Sequence, residues 1–202
     1  LSLLAPSLMN TLQEAFYGDV WTNYPAERKK LMDSISANSI RNVVITTGDF
    51  HTGFSMDVTL DAASTTRYNP ATGQGAVAVE FMCPSISSGN FDENIANGLF
   101  NVINGSMRTL GFQSPQREGF ADIMAAKDTQ ELLGVLNDAL REQNRHLKNI
   151  NLTDHGYTLL DITPERAQGD YWYMDTILVP SVRERCGGGF FTLSGQNNLT
   201  RS

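Results

Sequence analysis

The sequence is poor in the residues that build metal modules and disulfide frameworks, with two cysteines and three histidines among 202 residues. That count excludes a four-ligand Cys/His zinc module and a disulfide scaffold. Cys83 and Cys186 either form one bridge or remain separate thiols, and the apolar strand context of Cys83 favours the second. No apolar run approaches the ~20 residues that a membrane-spanning helix needs. Positive charge is also in short supply. Fifteen Lys and Arg stand against 22 Asp and Glu, a net charge of −7. Such a chain does not hold nucleic acid by neutralising phosphates, which leaves nucleic acid only as a substrate. No P-loop, nucleophile elbow or glycine-rich dinucleotide fingerprint occurs. Leu1 to Pro6 lack an initiator Met and a basic segment, so they do not read as a signal peptide and look like the interior of a longer chain. What is present is an acidic, mixed globular composition, 41% hydrophobic and 18% charged. Its length suits one ordinary domain or part of a larger one.

Pro25 sits where a helix starts, because a first-turn proline loses no needed hydrogen bond. Leu31, Met32 and Ile35 follow at helical spacing, with Glu27, Arg28, Lys29 and Lys30 on the other faces and Asn38 as a stop. Val43 to Thr47 is a β-branched run of the buried-strand kind, ending at Gly48-Asp49-Phe50-His51. Ala76 to Met82 reads as a second strand. Asp61 to Gly75 between them is polar and carries turn signals. Ser85 to Asp128 is rich in Gly, Asn and Ser, an excursion with a short helix around Glu93 to Ile103. Asp128 and Glu131 resemble a capping box, after which Leu132, Leu133, Leu136 and Leu140 form one helical stripe ending near Gln143. Gly156 to Thr163 and Ala167 to Ile177 predict a hairpin turning at Pro164-Glu165-Arg166. Beyond Pro180 the apolar pattern fails, so residues 181–202, with Gly187-Gly188-Gly189, are expected to be a flexible tail. The order helix, strand, loop, strand, helix, hairpin predicts a layered α/β architecture with a mixed sheet.

Chemistry is expected first at Gly48-Asp49-Phe50-His51, because ligands gather at the carboxyl ends of strands in α/β sheets. In extended backbone, residues two apart face the same way, which lets Asp49 and His51 converge. A carboxylate and an imidazole suit a hard or borderline metal ion. The alternative is an Asp that caps a turn beside a surface His. A second polar cluster, Asn144-Arg145-His146-Leu147-Lys148 and Asp154-His155, reads either as a wall of the same site or as a solvated loop. Trp21, Tyr24 and Arg28 either hold an anionic substrate or simply open a helix. Asn-x-Ser/Thr sequons begin at Asn104, Asn151 and Asn198.

Taken in order, five segments resemble the alkaline phosphatase D (PhoD-like) family of metallophosphoesterases. They are Trp21-Thr22-Asn23-Tyr24-Pro25-Ala26-Glu27-Arg28, the strand and Gly-Asp-x-His loop from Ile40 to His51, and Val79 to Ser88. The others are Asn144-Arg145-His146, where Arg145 replaces the family's proline, and the hairpin from His155 to Val179. The resemblance implies a four-layer α/β/β/α fold, with residues 1–180 forming the C-terminal half of the domain and a missing N-terminal half as its partner. It implies hydrolysis of phosphate mono- or diesters with divalent or trivalent metal ions, iron and calcium among them. It places Asp49 and His51 as metal ligands, and Asn144, His146, Arg28 and Tyr24 as residues around the ligands or the substrate. It also implies an extracytoplasmic, periplasmic or secreted protein. The family's Asp-Asp-His-Glu-like and Gly-Asn-Gln-like segments have no counterpart here. The competing reading is a non-catalytic binding or structural module that keeps part of the scaffold.

Overall fold

The computed structural model describes residues 21, 24–94 and 129–202. Helix α1 spans Pro25–Ala37 and starts, as expected, with proline in its first turn. Its buried face is Arg28, Met32 and Ile35, spaced four and three residues apart along one stripe. The opposite face carries exposed pairs, Glu27 with Lys30 and Lys29 with Asp33, which add only a few tenths of a kcal/mol each. Asn38 closes the helix by donating its side-chain amide to the Ser34 carbonyl at 2.8 Å.

Two four-stranded sheets follow. The first contains β1 (Val44–Thr47), β2 (Gly53–Thr59), β3 (Ala76–Met82) and β4 (Leu147–Asn151), in the order β1-β3-β2-β4. β1 and β3 run parallel, and β2 is antiparallel to both β3 and β4. The sheet is therefore mixed. A short helical turn, α2 (Phe91–Asn94), follows β3, and α3 (Thr129–Gln143) precedes β4. The second sheet is an antiparallel meander of β5 (Gly156–Ile162), β6 (Arg166–Met174), β7 (Glu184–Leu193) and β8 (Thr200–Arg201).

Period-two alternation divides the first sheet into two faces. Met32 of α1 packs with Val58 and Ala78 on one face. On the other face Val79 and Phe81 meet Tyr171, Tyr173, Phe190 and Leu199 of the second sheet. The layers are helix, sheet, sheet. Leu133, Leu136 and Leu140 of α3 are buried as the helical stripe predicts. The side chain of Leu132, residue Asp128 and most of the helix expected over Glu93 to Ile103 lie outside the described residues.

Four strands, β2, β4, β7 and β8, differ from the sequence expectation. β2 does alternate, with Phe54, Met56 and Val58 between Gly53, Ser55, Asp57 and Thr59, yet every one of its residues is buried. β4 was read as polar loop. Residues 181–202, expected as a flexible tail, instead supply β7 and β8, and the reason is steric. A Cβ at Gly187 would run into the Tyr173 ring, and one at Gly189 into the Asp170 carboxylate. These glycines let a strand lie close to its neighbours. Cys83, just beyond β3, and Cys186 of β7 are unpaired thiols.

The sheets close tightly where Gly169 of β6 faces Phe81 of β3, and a Cβ there would stand 2.5 Å from the Phe81 ring. Gly169→Ala is expected to lower stability by about 1–3 kcal/mol through overpacking. Urea denaturation measures this, and an unchanged midpoint would mean that the sheets do not meet at this point.

Candidate metal-binding loop and the two ends of the first sheet

The loop from Gly48 to Thr52 joins the carboxyl end of β1 to the start of β2. Its central residue, Phe50, is 3% exposed and packs on Phe54 with ring centroids 6.1 Å apart. The polar residues flanking it are Asp49, exposed, and His51, half-buried. Both adopt left-handed backbone, with φ of 71° and 55°. The extended-strand geometry expected for this pair is therefore replaced by a coiled loop, in which facing no longer follows from i, i+2 spacing. Asp and His tolerate this region better than most side chains, but it still costs energy. Strain of this kind clusters at functional sites.

The His51 ring is held in one orientation. Its Nδ1 lies 2.8 Å from the Gly89 carbonyl oxygen. A carbonyl only accepts, so Nδ1–H donates, and neutral His51 keeps its lone pair on Nε2. Metal-ligating histidines are commonly fixed by this kind of bond to a backbone carbonyl. The pair thus passes a chemical test for holding an ion: an oriented imidazole and a solvent-facing carboxylate on one short loop. Two donors are not a complete site. Among the described residues no cluster of three His, Cys, Asp or Glu is arranged to hold a metal.

Other polar groups gather at the same end. Ser85 accepts bonds from the backbone N–H groups of Ser87 and Ser88 at 3.2 and 2.7 Å, and its carbonyl accepts from Gly156 N–H. Asn90 is fully buried and donates its side-chain amide to the Thr153 carbonyl at 2.8 Å. Glu93 Oε2 accepts Asn90 N–H at 2.9 Å and stands 3.3 Å from His155 Nε2. Burial pushes the Asp92 carboxyl above its ordinary range. Asn90 Oδ1, Asp92 Oδ1 and both ring nitrogens of His155 are buried without a hydrogen-bond partner among the described residues. Sequence reading missed Asn90, Asp92 and Glu93. The signal was half of a capping box, Asn90 followed by Glu93 three residues on.

Asn144, His146 and Arg28 lie at the opposite end. β4 runs in the same direction as β1 and β3, so the residues preceding it lie beside the amino ends of those strands. His146 O accepts Asp57 N–H, and Arg28 donates to the Thr59 carbonyl at 2.8 Å. Asp57 is four residues beyond Gly53, about 13 Å along β2. Among the described residues, Asn144 and His146 do not share the end of the sheet that carries Asp49, contrary to the expectation that they meet it in one concavity. Tyr24 stands at the start of α1 and is about half exposed. Of the second polar cluster, only Asp154 and His155 reach the Asp49 end.

Comparison with known proteins gives this arrangement a family. Residues 4–171 match the PhoD-like phosphatase family. The chain belongs to it. Alkaline phosphatase D of Bacillus subtilis (strain 168) is 24% identical over 183 residues, covering 91% of this chain and 24% of that protein. A solved structure titled "Structure of PhoD" superposes with a TM-score of 0.60 at 20% identity, over 91% of this chain and 26% of that one. The chain thus spans about a quarter of the length of these PhoD relatives. Among the described residues no helix is long and apolar enough to cross a membrane.

The far end of the sheet behaves as a buried polar node. His146 is 1% exposed, and neither ring nitrogen has a hydrogen-bond partner among the described residues. Burial, with the positive charges of Arg28 and Lys148, lowers its pKa to about 3 from 6.5. Unfolded His146 takes up a proton below about pH 6.5, whereas the folded state resists until about pH 3. Stability should therefore fall as pH drops through that window, by at most about 1.4 kcal/mol per unit from this group. Urea titrations from pH 7 to 4 on parent and His146→Gln are expected to show a shallower decline in the variant. Parallel declines would mean that His146 does not stay neutral.

Proposed function

We propose that these residues form part of a metal-dependent phosphoesterase that hydrolyses phosphate mono- or diesters, with Asp49 and His51 as ligands of a bound cation. The observation that carries the reading is the His51 ring pinned by Gly89, on a strained loop at the carboxyl ends of β1 and β3. In this reading His51 presents Nε2 to the ion and Asp49 a carboxylate oxygen. Phe50 anchors the loop between them in the core, so that neither donor has to be ordered when the ion arrives. The ion would activate water and neutralise charge on the phosphoryl group, the service metals perform in phosphatases. Of the two ions the family resemblance implies, iron suits the imidazole with the carboxylate, whereas calcium suits the carboxylate alone.

A two-metal clamp needs ligands on both sides of the phosphate. We infer that the remaining ligands come from polypeptide outside the described residues, in keeping with a chain that spans a quarter of its relatives. Family membership also supports an extracytoplasmic location.

The 202-residue chain alone is expected to hydrolyse chromogenic phosphomonoesters and phosphodiesters barely above background with iron, calcium or manganese. Joined to the upstream half of a PhoD-like domain it should turn over, and Asp49→Ala or His51→Ala should then remove at least about 100-fold of the rate. Turnover in the joined chain that survives both substitutions would place the site elsewhere.

A further inference from the structure

The carbonyl that holds His51 belongs to the peptide unit joining Gly89 and Asn90, and the N–H of the same unit belongs to Asn90. The peptide is planar and trans, so the two groups point in opposite directions from one rigid plane. Gly89 O faces His51 Nδ1 at 2.8 Å, and Asn90 N–H faces Glu93 Oε2 at 2.9 Å. Whatever fixes one end fixes the other. We propose that Glu93 is a positioning residue for His51, acting through the Gly89–Asn90 peptide.

Three features support the relay. First, a carboxylate accepting the peptide N–H polarises the unit and strengthens its carbonyl as an acceptor, because hydrogen bonds in a chain reinforce one another. Carboxylates often bond directly to metal-binding imidazoles to raise their basicity, and here one peptide stands between the two groups. Second, Glu93 is set in place by local structure. It occupies the third position of α2, where its Oε2 reaches back to the Asn90 N–H. The same oxygen stands 3.3 Å from His155 Nε2, without a hydrogen bond to it, beside the turn that joins β4 to β5. Third, the peptide cannot drift as a body, because the buried Asn90 side chain bonds the Thr153 carbonyl of that turn. Glu93 thus aims the peptide and Asn90 anchors it.

The inference rests on the reading of His51 as a ligand, so the test separates the two. The chain contains three histidines, which makes its imidazole 15N spectrum assignable with a His51→Gln control. In the parent, His51 should show protonated Nδ1 and unprotonated Nε2. Glu93→Ala should mix the tautomers and raise the Mn²⁺ concentration that half-broadens the His51 signals by about 10-fold, the low end for losing an outer partner of a ligand. Glu93→Gln keeps an acceptor oxygen and should retain the parent tautomer. A residue that only supported the fold would change the melting temperature in both variants and leave the His51 tautomer alone. Unchanged His51 shifts and Mn²⁺ response in Glu93→Ala would overturn the relay. If Mn²⁺ broadens no His51 signal even in the parent, the ligand reading fails, while the tautomers of the two variants still decide the relay.

Discussion

The contact on which the structure most depends is made by Tyr171. Its side chain is fully buried between the sheets, and its hydroxyl lies 2.5 Å from the Phe54 carbonyl and 2.8 Å from Ser55 Oγ. A buried hydroxyl must be satisfied or it costs stability, and these two partners satisfy it only when the second sheet sits at one depth over β2. Burial raises the phenol pKa, so the group stays neutral and keeps its proton for donation. Glycines permit the approach. A Cβ at Gly53 would stand 2.8 Å from the Tyr173 hydroxyl. Because β2 begins at Gly53, directly after the loop bearing Asp49 and His51, closing the sheets also fixes one end of that loop.

The other end of the loop is fixed by pairing. Thr47 O accepts Cys83 N–H, and Thr47 Oγ1 donates to the buried Glu80 at 2.6 Å. Between these anchors Phe50 points into the core, and its flanking residues take up left-handed backbone. The opposite end of the same sheet has a different character. There Asp57 accepts from Tyr68 at 2.7 Å and from Leu199 N–H at 2.8 Å, and lies 3.2 Å from Lys148 Nζ. These bonds tie the approach to β8 onto β2. Among the described residues, the carboxylate at the Asp57 end is fully bonded while the neighbouring His146 ring is not. At the other end, buried polar atoms of Asn90, Asp92 and His155 lack hydrogen-bond partners among the described residues.

Much of this was legible in the residues themselves. Proline 25 marked the helix start, β-branched runs marked β1 and β3, and the Leu133, Leu136 and Leu140 stripe marked α3. The Gly-Asp-x-His segment and its neighbours pointed to the family. β2 carries the period-two alternation of a half-buried strand, but the burial of its polar face was not legible, because Ser55 and Asp57 are buried through partners far along the chain. β7 was hidden by Gly187-Gly188-Gly189, whose purpose appears only once Tyr173 and Asp170 are placed beside it. The surroundings of His51 were hidden for the same reason. Its acceptor is 38 residues away, and no local pattern couples the two.

The central claim is that the Gly48–Thr52 loop binds a cation through His51 Nε2 and the Asp49 carboxylate, with Nδ1 reserved for Gly89. Anomalous diffraction from crystals soaked in Mn²⁺ tests it most directly. The account predicts a peak on this loop, about 2.0–2.2 Å from His51 Nε2 and from an Asp49 oxygen, with the bond to Gly89 intact. A peak bound through Nδ1, or ions ordered only at the Asp57 end of the sheet, would contradict it.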